Sequence, residues 1–328
     1  MVTKLSKKSY FFLGSLVLFS LLPLAIHDDR RLMNLLILSF IWAVVVASWD
    51  LIMGYGRVYS FAQIAFFGIG GYTSAMLTKN LGMSPWLGIP IGGAVALGIG
   101  LLIGLPCLRL RGMYVGMVTF AVHLILPVLA RAGRAIGTGG SWGLLNLAPL
   151  YVGEYTFTSF VPWYYVALGM FALFLFIIYK IINSPIGLAF MALRDSEPFA
   201  KSLGVDEYRH LLILFGISAF IAGIMGAFYT HYMSVIDPNI FSIEIFLLGF
   251  AMLMFGGMAA FPGAVIGAFP IVFINYTLAP LRELRLVILG IIIVAVMIGL
   301  PRGIMEIPEA VNRLIRQRAL KKNRGERI

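Results

Sequence analysis

Charge is scarce in this sequence. Asp, Glu, Lys and Arg make up 12% of its 328 residues, against about 25% in a soluble domain. A water-facing surface needs more than that, so a soluble enzyme and a nucleic-acid binder are both excluded. Cysteine is scarcer still. Cys107 stands alone, which rules out a disulfide framework and a multi-cysteine metal site. The four His residues are scattered without metal-ligand spacing. Signatures of chemistry are missing too: no G-x-x-x-x-G-K-[ST] phosphate loop, no H-E-x-x-H and no readable Ser-His-Asp set. Strict polar–apolar alternation is absent, which excludes an outer-membrane barrel.

What is abundant is apolar surface. Hydrophobic residues make up 60% of the chain, and the mean hydropathy is +0.95. That is about 197 residues, or roughly ten helices of the ~20 apolar residues that cross a bilayer. The predicted fold is an all-α polytopic membrane protein of about ten helices, within a range of eight to ten. The continuous apolar segments are 10–26, 32–53, 60–78, 85–106, 113–130, 161–182, 210–232, 243–260, 262–280 and 285–300. Segments 60–78 and 243–260 are rich in Gly and polar atoms. Either can be broken or re-entrant, which is tolerated only inside protein or beside a water-filled cavity.

The few charges orient the chain. With residues 1–9 in the cytoplasm, 18 of the 25 Lys and Arg residues fall on the cytoplasmic side, as positively charged loops do. This predicts both termini inside and a permease domain over 10–300. It also predicts a long outside loop at 131–160, a long inside loop at 183–209 and a basic cytoplasmic tail at 301–328. The first segment follows the basic stretch KLSKK like a signal peptide, but HDDRR follows it and no small-residue cleavage site does. It reads as an uncleaved span.

Ionisable groups inside the segments are candidates for function. Asp50 near the end of the second and His123 in the fifth stand out. Each has a plain alternative: an interfacial position for Asp50, and a hydrogen bond to a neighbouring helix for His123. Two isolated groups make a poor proton relay, so an ion-coupled carrier is the second class of reading. A channel is the third, without a repeated filter sequence to support it. The poverty of buried charge points to energy entering from a cytoplasmic partner.

The inside loop supplies a place for one. A short helical stretch is predicted at about 187–203, with Pro198 opening a second short helix and Gly204 as its stop. Its polar residues Arg194, Asp195, Glu197 and Lys201 alternate with Leu188, Met191, Ala192, Phe199 and Leu203. Such a helix fits a groove in another protein or lies on lipid.

Four stretches carry a resemblance: LIMGYGRVYSFAQIAFFGIGGYTSA (51–75), LRLRGMYVGMVTFAVHLIL (108–126), SPIGLAFMALRDSEPFAKSLGVDEYRHLLILFGISAFIAGIMGAFY (184–229) and MFGGMAAFPGAVIGA (254–268). In this order they resemble the membrane permease subunits of branched-chain amino acid ABC importers, particularly the M-type subunit, across most of 40–305. The resemblance implies a transport subunit without covalent chemistry of its own and no bound cofactor, with ATP on partner subunits. It implies two ATP-binding subunits, a second homologous permease and an external solute-binding protein, assembled in a prokaryotic inner membrane. It places Arg194, Asp195, Glu197 and Gly204 in a coupling segment that docks on the ATPase.

Gly68, Gly70, Gly71, Gly100, Gly104, Gly263 and Gly267 then read as close-packing positions, or in part as pathway lining. Ser60, Gln63, Tyr72 and Thr73 lie in the most polar span. Thr119 and His123 share a helix face at i, i+4. These six are the pathway candidates. Many relatives carry His where this chain has Gln63, which hydrogen-bonds but does not titrate near neutral pH. Substrates in this resemblance range from leucine-like amino acids to urea and short amides. A sugar or nucleoside permease of the wider superfamily is a further alternative.

Overall fold

A computed structural model describes residues 19–23, 29–110, 112–281, 284–299 and 303–304. The N-terminal stretch 1–9 and nearly all of the tail lie outside them, and of the first segment only 19–23, which are helical, lie within. Each of the other nine apolar segments carries one long helix. These are α1 (Arg30–Asp50), α2 (Gln63–Leu81), α3 (Pro85–Cys107), α4 (Met113–Ala132), α5 (Phe160–Ile182), α8 (Glu207–Met233), α9 (Ile243–Gly256), α10 (Gly263–Thr277) and α11 (Leu284–Gly299). Two short helices, α6 (Pro185–Asp195) and α7 (Glu197–Ser202), fill the loop between α5 and α8.

Among the described residues, five helices are long and apolar enough to cross a membrane: α1 with its extension to Tyr55, α3, α4 with its extension to Ile136, α5 and α8. The helices of segments 243–260 and 262–280 are shorter than a span. At 14 and 15 residues they reach about 21 and 23 Å, against a hydrocarbon thickness of ~30 Å. Apolar count overstated their length because Gly257 (φ +92°) and Ala259 (φ +55°) turn the chain between them. Helix α2 is helical throughout 63–81. Its polar and Gly-rich composition is compatible with burial because α3 and α8 pack along it.

The hub is α1. Its carboxylate cap, Asp29, accepts from Arg31 N (3.0 Å) and Leu32 N (3.1 Å), which satisfies two of the orphan donors of the first turn. Of its most apolar stretch, 94% is buried, as a helix that is hydrophobic all round must be inside a protein. It is ringed by α5, α8, α9 and α10. Helices α3, α4 and α5 stand at the periphery and expose much of their apolar length.

Close packing rests on glycine. A Cβ on Gly70 would lie 2.1 Å from Gly223 O, and one on Gly226 would lie 1.8 Å from Phe67 O. Helices α2 and α8 therefore touch backbone to backbone. Gly68, Gly70, Gly71, Gly100, Gly104 and Gly267 abut a neighbouring element in this way or against a side chain, and Gly263 O would lie 2.3 Å from a Cβ on Gly256, which is the packing role.

The long loop 131–160 is not wholly irregular, a departure from an all-helical fold. It holds three two-residue strands, β1 (Leu144–Leu145), β2 (Tyr151–Val152) and β3 (Tyr155–Thr156). β1 pairs antiparallel with β4 (Val235–Ile236) after α8, and β2 pairs with β3. Lys79 Nζ donates to Leu145 O, Trp86 Nε1 to Tyr151 O (2.7 Å) and Asn80 Nδ2 to Gly137 O (3.3 Å). The loop is thus a cap tied to the ends of α2, α3 and α8. The α6–α7 pair lies at the other end of α5, whose 23 residues span about 34 Å.

Gly226→Ala should cost at least about 1–3 kcal/mol through forced separation of α2 and α8. It should appear as a lower Tm and lost monodispersity in detergent. Gly169→Ala, which meets nothing within 4 Å, should leave both unchanged.

Candidate functional site

Polar side chains inside the bundle fall into three groups. The first is a closed knot at the hub. Gln63 opens α2 and is buried. Its Nε2 donates to Ser48 Oγ (2.7 Å) on α1, while Ser218 Oγ on α8 donates to Gln63 Oε1 (2.9 Å). Ser218 Oγ also lies 2.6 Å from Ser48 O. Both ends of the amide are engaged, and three helices are joined. Beside it, Trp49 Nε1 donates to Ser60 O (2.8 Å), which fixes the chain as it enters α2.

The second group lines the inner face of α4. Thr119 Oγ1 accepts from Phe61 N (3.0 Å) and donates back to Val115 O (2.8 Å). One turn on, His123 is fully buried, and neither ring nitrogen has a hydrogen-bond partner among the described residues. Aromatic rings surround it: Phe246 at 5.4 Å and Phe120 at 6.2 Å, with Phe61 and Phe250 in the same cluster. A buried imidazole without a partner carries an uncompensated desolvation cost.

The third group lies along α2 toward the cap. Tyr72 stacks on Phe241 at 5.8 Å, and its buried hydroxyl has no partner among the described residues. Thr73 Oγ1 donates to Ile69 O (2.8 Å) in its own helix.

Of the six pathway candidates, Ser60, Thr119 and His123 thus share one aromatic-walled region with Phe61. Gln63 sits on the far side of α2 toward α1 and α8, and Tyr72 and Thr73 stand two to three turns away. Two buried polar pairs escaped the sequence reading. Ser48 and Ser218 look like small spacers in apolar helices. His231, in the last turn of α8, is a further ionisable group within the segments, and it is fully buried. Its Nδ1 donates to Ala148 O (2.9 Å) in the cap, leaving Nε2 to accept from Ser74 Oγ (2.8 Å). Asp50, the last residue of α1, is buried within the protein. It is 2% exposed and its Oδ1 accepts from Ala259 N (2.8 Å).

At the end opposite the cap, α6 and α7 present a fixed surface. Ser184 caps α6, accepting from Gly187 N (3.2 Å). Ser196 (φ −155°, ψ 96°) separates the two helices and Glu197–Pro198 opens the second, while Gly204 (φ +83°) turns the chain after it. Phe190 and Leu193 face inward. Leu188, Phe199 and Leu203 are 60%, 62% and 67% exposed. Arg194 pairs with Asp195 (2.9 Å), and Lys201 with both Glu197 and Glu207 (2.6 Å each). Hydrogen bonds that the Lys201 ammonium donates to these two carboxylates raise its pKa above the ordinary value. Arg57 Nη1 donates to Arg194 O (3.1 Å), which ties the pair to the hub.

A bundle of membrane-length helices around a buried hub, with a capped end and an exposed helix pair at the other, is a polytopic membrane protein. The model of the family described as "Branched-chain amino acid transport system / permease component" matches residues 31–297. The chain belongs to this family, whose members are transport components. It is 28% identical to the high-affinity branched-chain amino acid transport system permease protein LivM of Escherichia coli (strain K12), over 91% of this chain and 75% of that protein. It is 24% identical to LivH, a permease protein of the same transport system and strain, over 85% of this chain and 96% of that protein. A probable LivM of Methanocaldococcus jannaschii is 24% identical over 62% of each chain. No solved structure matches.

Gln63→Ala would orphan Ser48 and Ser218 inside the bundle. It should lower stability by about 1–3 kcal/mol, read as a lower Tm of the purified chain. An unchanged Tm would refute the clasp.

Proposed function

We propose that this chain is the membrane-spanning permease subunit of an ABC importer for branched-chain or similarly small amino acids, set in a prokaryotic inner membrane. The match of the family model across residues 31–297 carries this reading. About ten membrane segments, within a range of eight to ten because α9 and α10 are shorter than a full span, with both termini in the cytoplasm, agree with the bias of Lys and Arg. That orientation puts the cap outside, facing an external solute-binding protein, and α6–α7 inside. Similarity to both LivM and LivH supports pairing with a second, homologous permease.

Residues 183–209 are the coupling segment for two ATP-binding subunits. Leu188, Phe199 and Leu203 supply apolar contact. Arg194, Asp195 and Glu197 supply charge, and Gly204 supplies the turn that lets the segment return to α8. ATP binding and hydrolysis occur on the partners. Closure of the ATPase pair pushes this segment and rocks the helices between inward- and outward-open states.

Ser60, Gln63, Tyr72, Thr73, Thr119 and His123 are the pathway residues. Within this set Gln63 acts by holding three helices together. Thr119 and His123 face the route. The unpartnered imidazole of His123 is supplied with a partner when a solute carboxylate or ammonium passes it. Low selectivity suits an aromatic-walled route behind a discriminating binding protein.

In proteoliposomes holding the chain with its ATP-binding and permease partners, leucine uptake should require both ATP and the binding protein. ATP-independent uptake by this chain alone would establish an ion-coupled carrier instead. His123→Ala should cut uptake by about tenfold, the loss of one polar contact of ~1.4 kcal/mol. Complex assembly should persist, and normal uptake would remove His123 from the route.

A further inference from the structure

One short stretch of chain touches both the coupling segment and the turn between α9 and α10. Helix α1 ends at Asp50 and continues as a single π-helical turn, Leu51–Tyr55. Such turns are rare and recur at functional sites. From this stretch two side chains reach the loop between α9 and α10. Asp50 Oδ1 accepts from Ala259 N (2.8 Å), and Tyr55 Oη accepts from Phe261 N (3.1 Å). The fit is built in. A Cβ on Gly54 would lie 2.1 Å from Asp50 Oδ1 and 2.4 Å from Ala259 N, so only glycine there leaves room for the bond.

Two residues beyond Tyr55, Arg57 takes a left-handed backbone (φ +53°) and donates to Arg194 O. Between these two attachments lies a cavity of about 450 Å³, lined by Met53, Gly54, Arg57, Tyr59, Arg194, Asp195 and Met258. The space leaves the coupling segment and the loop joined through residues 50–57 rather than packed solidly on each other.

The α9–α10 hairpin beyond that loop is stiff. A Cβ on Gly256 would lie 2.3 Å from Gly263 O, so the two helices touch backbone to backbone at the turn. Phe246 and Phe250 on α9 in turn wall the His123 region. A displacement at Arg194 therefore has a continuous mechanical route to that region.

We infer that Asp50 is a positioning residue for transport. Its bond to Ala259 N makes the α9–α10 hairpin follow the end of α1 when the coupling segment moves. This rests on the permease reading above. A buried carboxyl group fits the task because its oxygen accepts directly from the loop's backbone N–H, and removing that oxygen leaves a donor unpaired. The position is fixed by the backbone rather than by another flexible side chain.

The test compares Asp50→Ala with Asp50→Asn in the complete complex in proteoliposomes, measuring leucine uptake and ATP hydrolysis together. Asn retains an oxygen that accepts from Ala259 N, whereas Ala does not. Asp50→Ala should keep the ATP-binding subunits bound and hydrolysis within about twofold, while uptake per ATP falls about tenfold, as an orphaned buried donor implies. Asp50→Asn should restore most of it. Wild-type uptake per ATP in Asp50→Ala overturns the inference, and so does an Asn variant as defective as Ala. If Asp50→Ala does not assemble, Tyr55→Phe decides. A loss of about threefold in uptake per ATP supports the coupling, and none overturns it. A wild-type chain that binds no ATP-binding subunit would sink the permease reading itself, a different result from any of these.

Discussion

Inside a bilayer no water is available to pair a stray N–H or C=O. This constraint explains more of the molecule than any single contact. It makes every long element a helix and confines the two-residue strands to the cap. It also decides where side-chain polarity is tolerated. Gln63, Ser48 and Ser218 are buried because they satisfy one another. Helix α1 can be apolar on every side because protein surrounds it. Its central place removes the usual need for a polar face, so polarity is left to the few positions where helices must be joined.

Legibility follows from the same physics. The nine described apolar segments each became one helix because continuous apolar runs at bilayer scale have no other stable form. The α6–α7 break was readable in Pro198 and Gly204, residues whose backbone limits are local. Helix length was not readable for α9 and α10. Apolar composition continues through Gly257–Pro262, while the backbone turns there at positive φ. Nor was the hub knot readable. Gln63 and Ser218 are 155 residues apart, and a lone serine in an apolar helix carries no sign of its partner. The strand pairs of the cap are too short to show any period. Asp50 was visible as a buried charge, but its acceptor role depends on a loop 209 residues away.

Among the described residues the interior carries little that titrates and nothing resembling a continuous relay. Asp50, His123 and His231 lie in separate environments: a backbone bond, an aromatic box and a contact with the cap. A carrier that couples to protons needs such groups in sequence. A subunit driven by a neighbour needs instead a rigid interior and a firm handle. The exposed apolar residues of α6–α7, braced by the Arg57–Arg194 bond and the Lys201 ion pairs, have that character.

Where such a molecule bends is constrained by its packing. Backbone-to-backbone contact between α2 and α8 leaves no slack, and close-packed interfaces shift between discrete arrangements rather than stretch. The α9–α10 turn is equally tight. The looser places are the π-helical turn at 51–55, the break at Ser196 and the cavity between Arg194 and Met258. All three lie at the same end of the bundle, around the attachment of α6–α7. A push on α6–α7 thus meets compliant joints first and rigid helix pairs behind them. That order converts a local displacement into relative motion of whole bodies, without unpacking the glycine contacts that hold the bundle together.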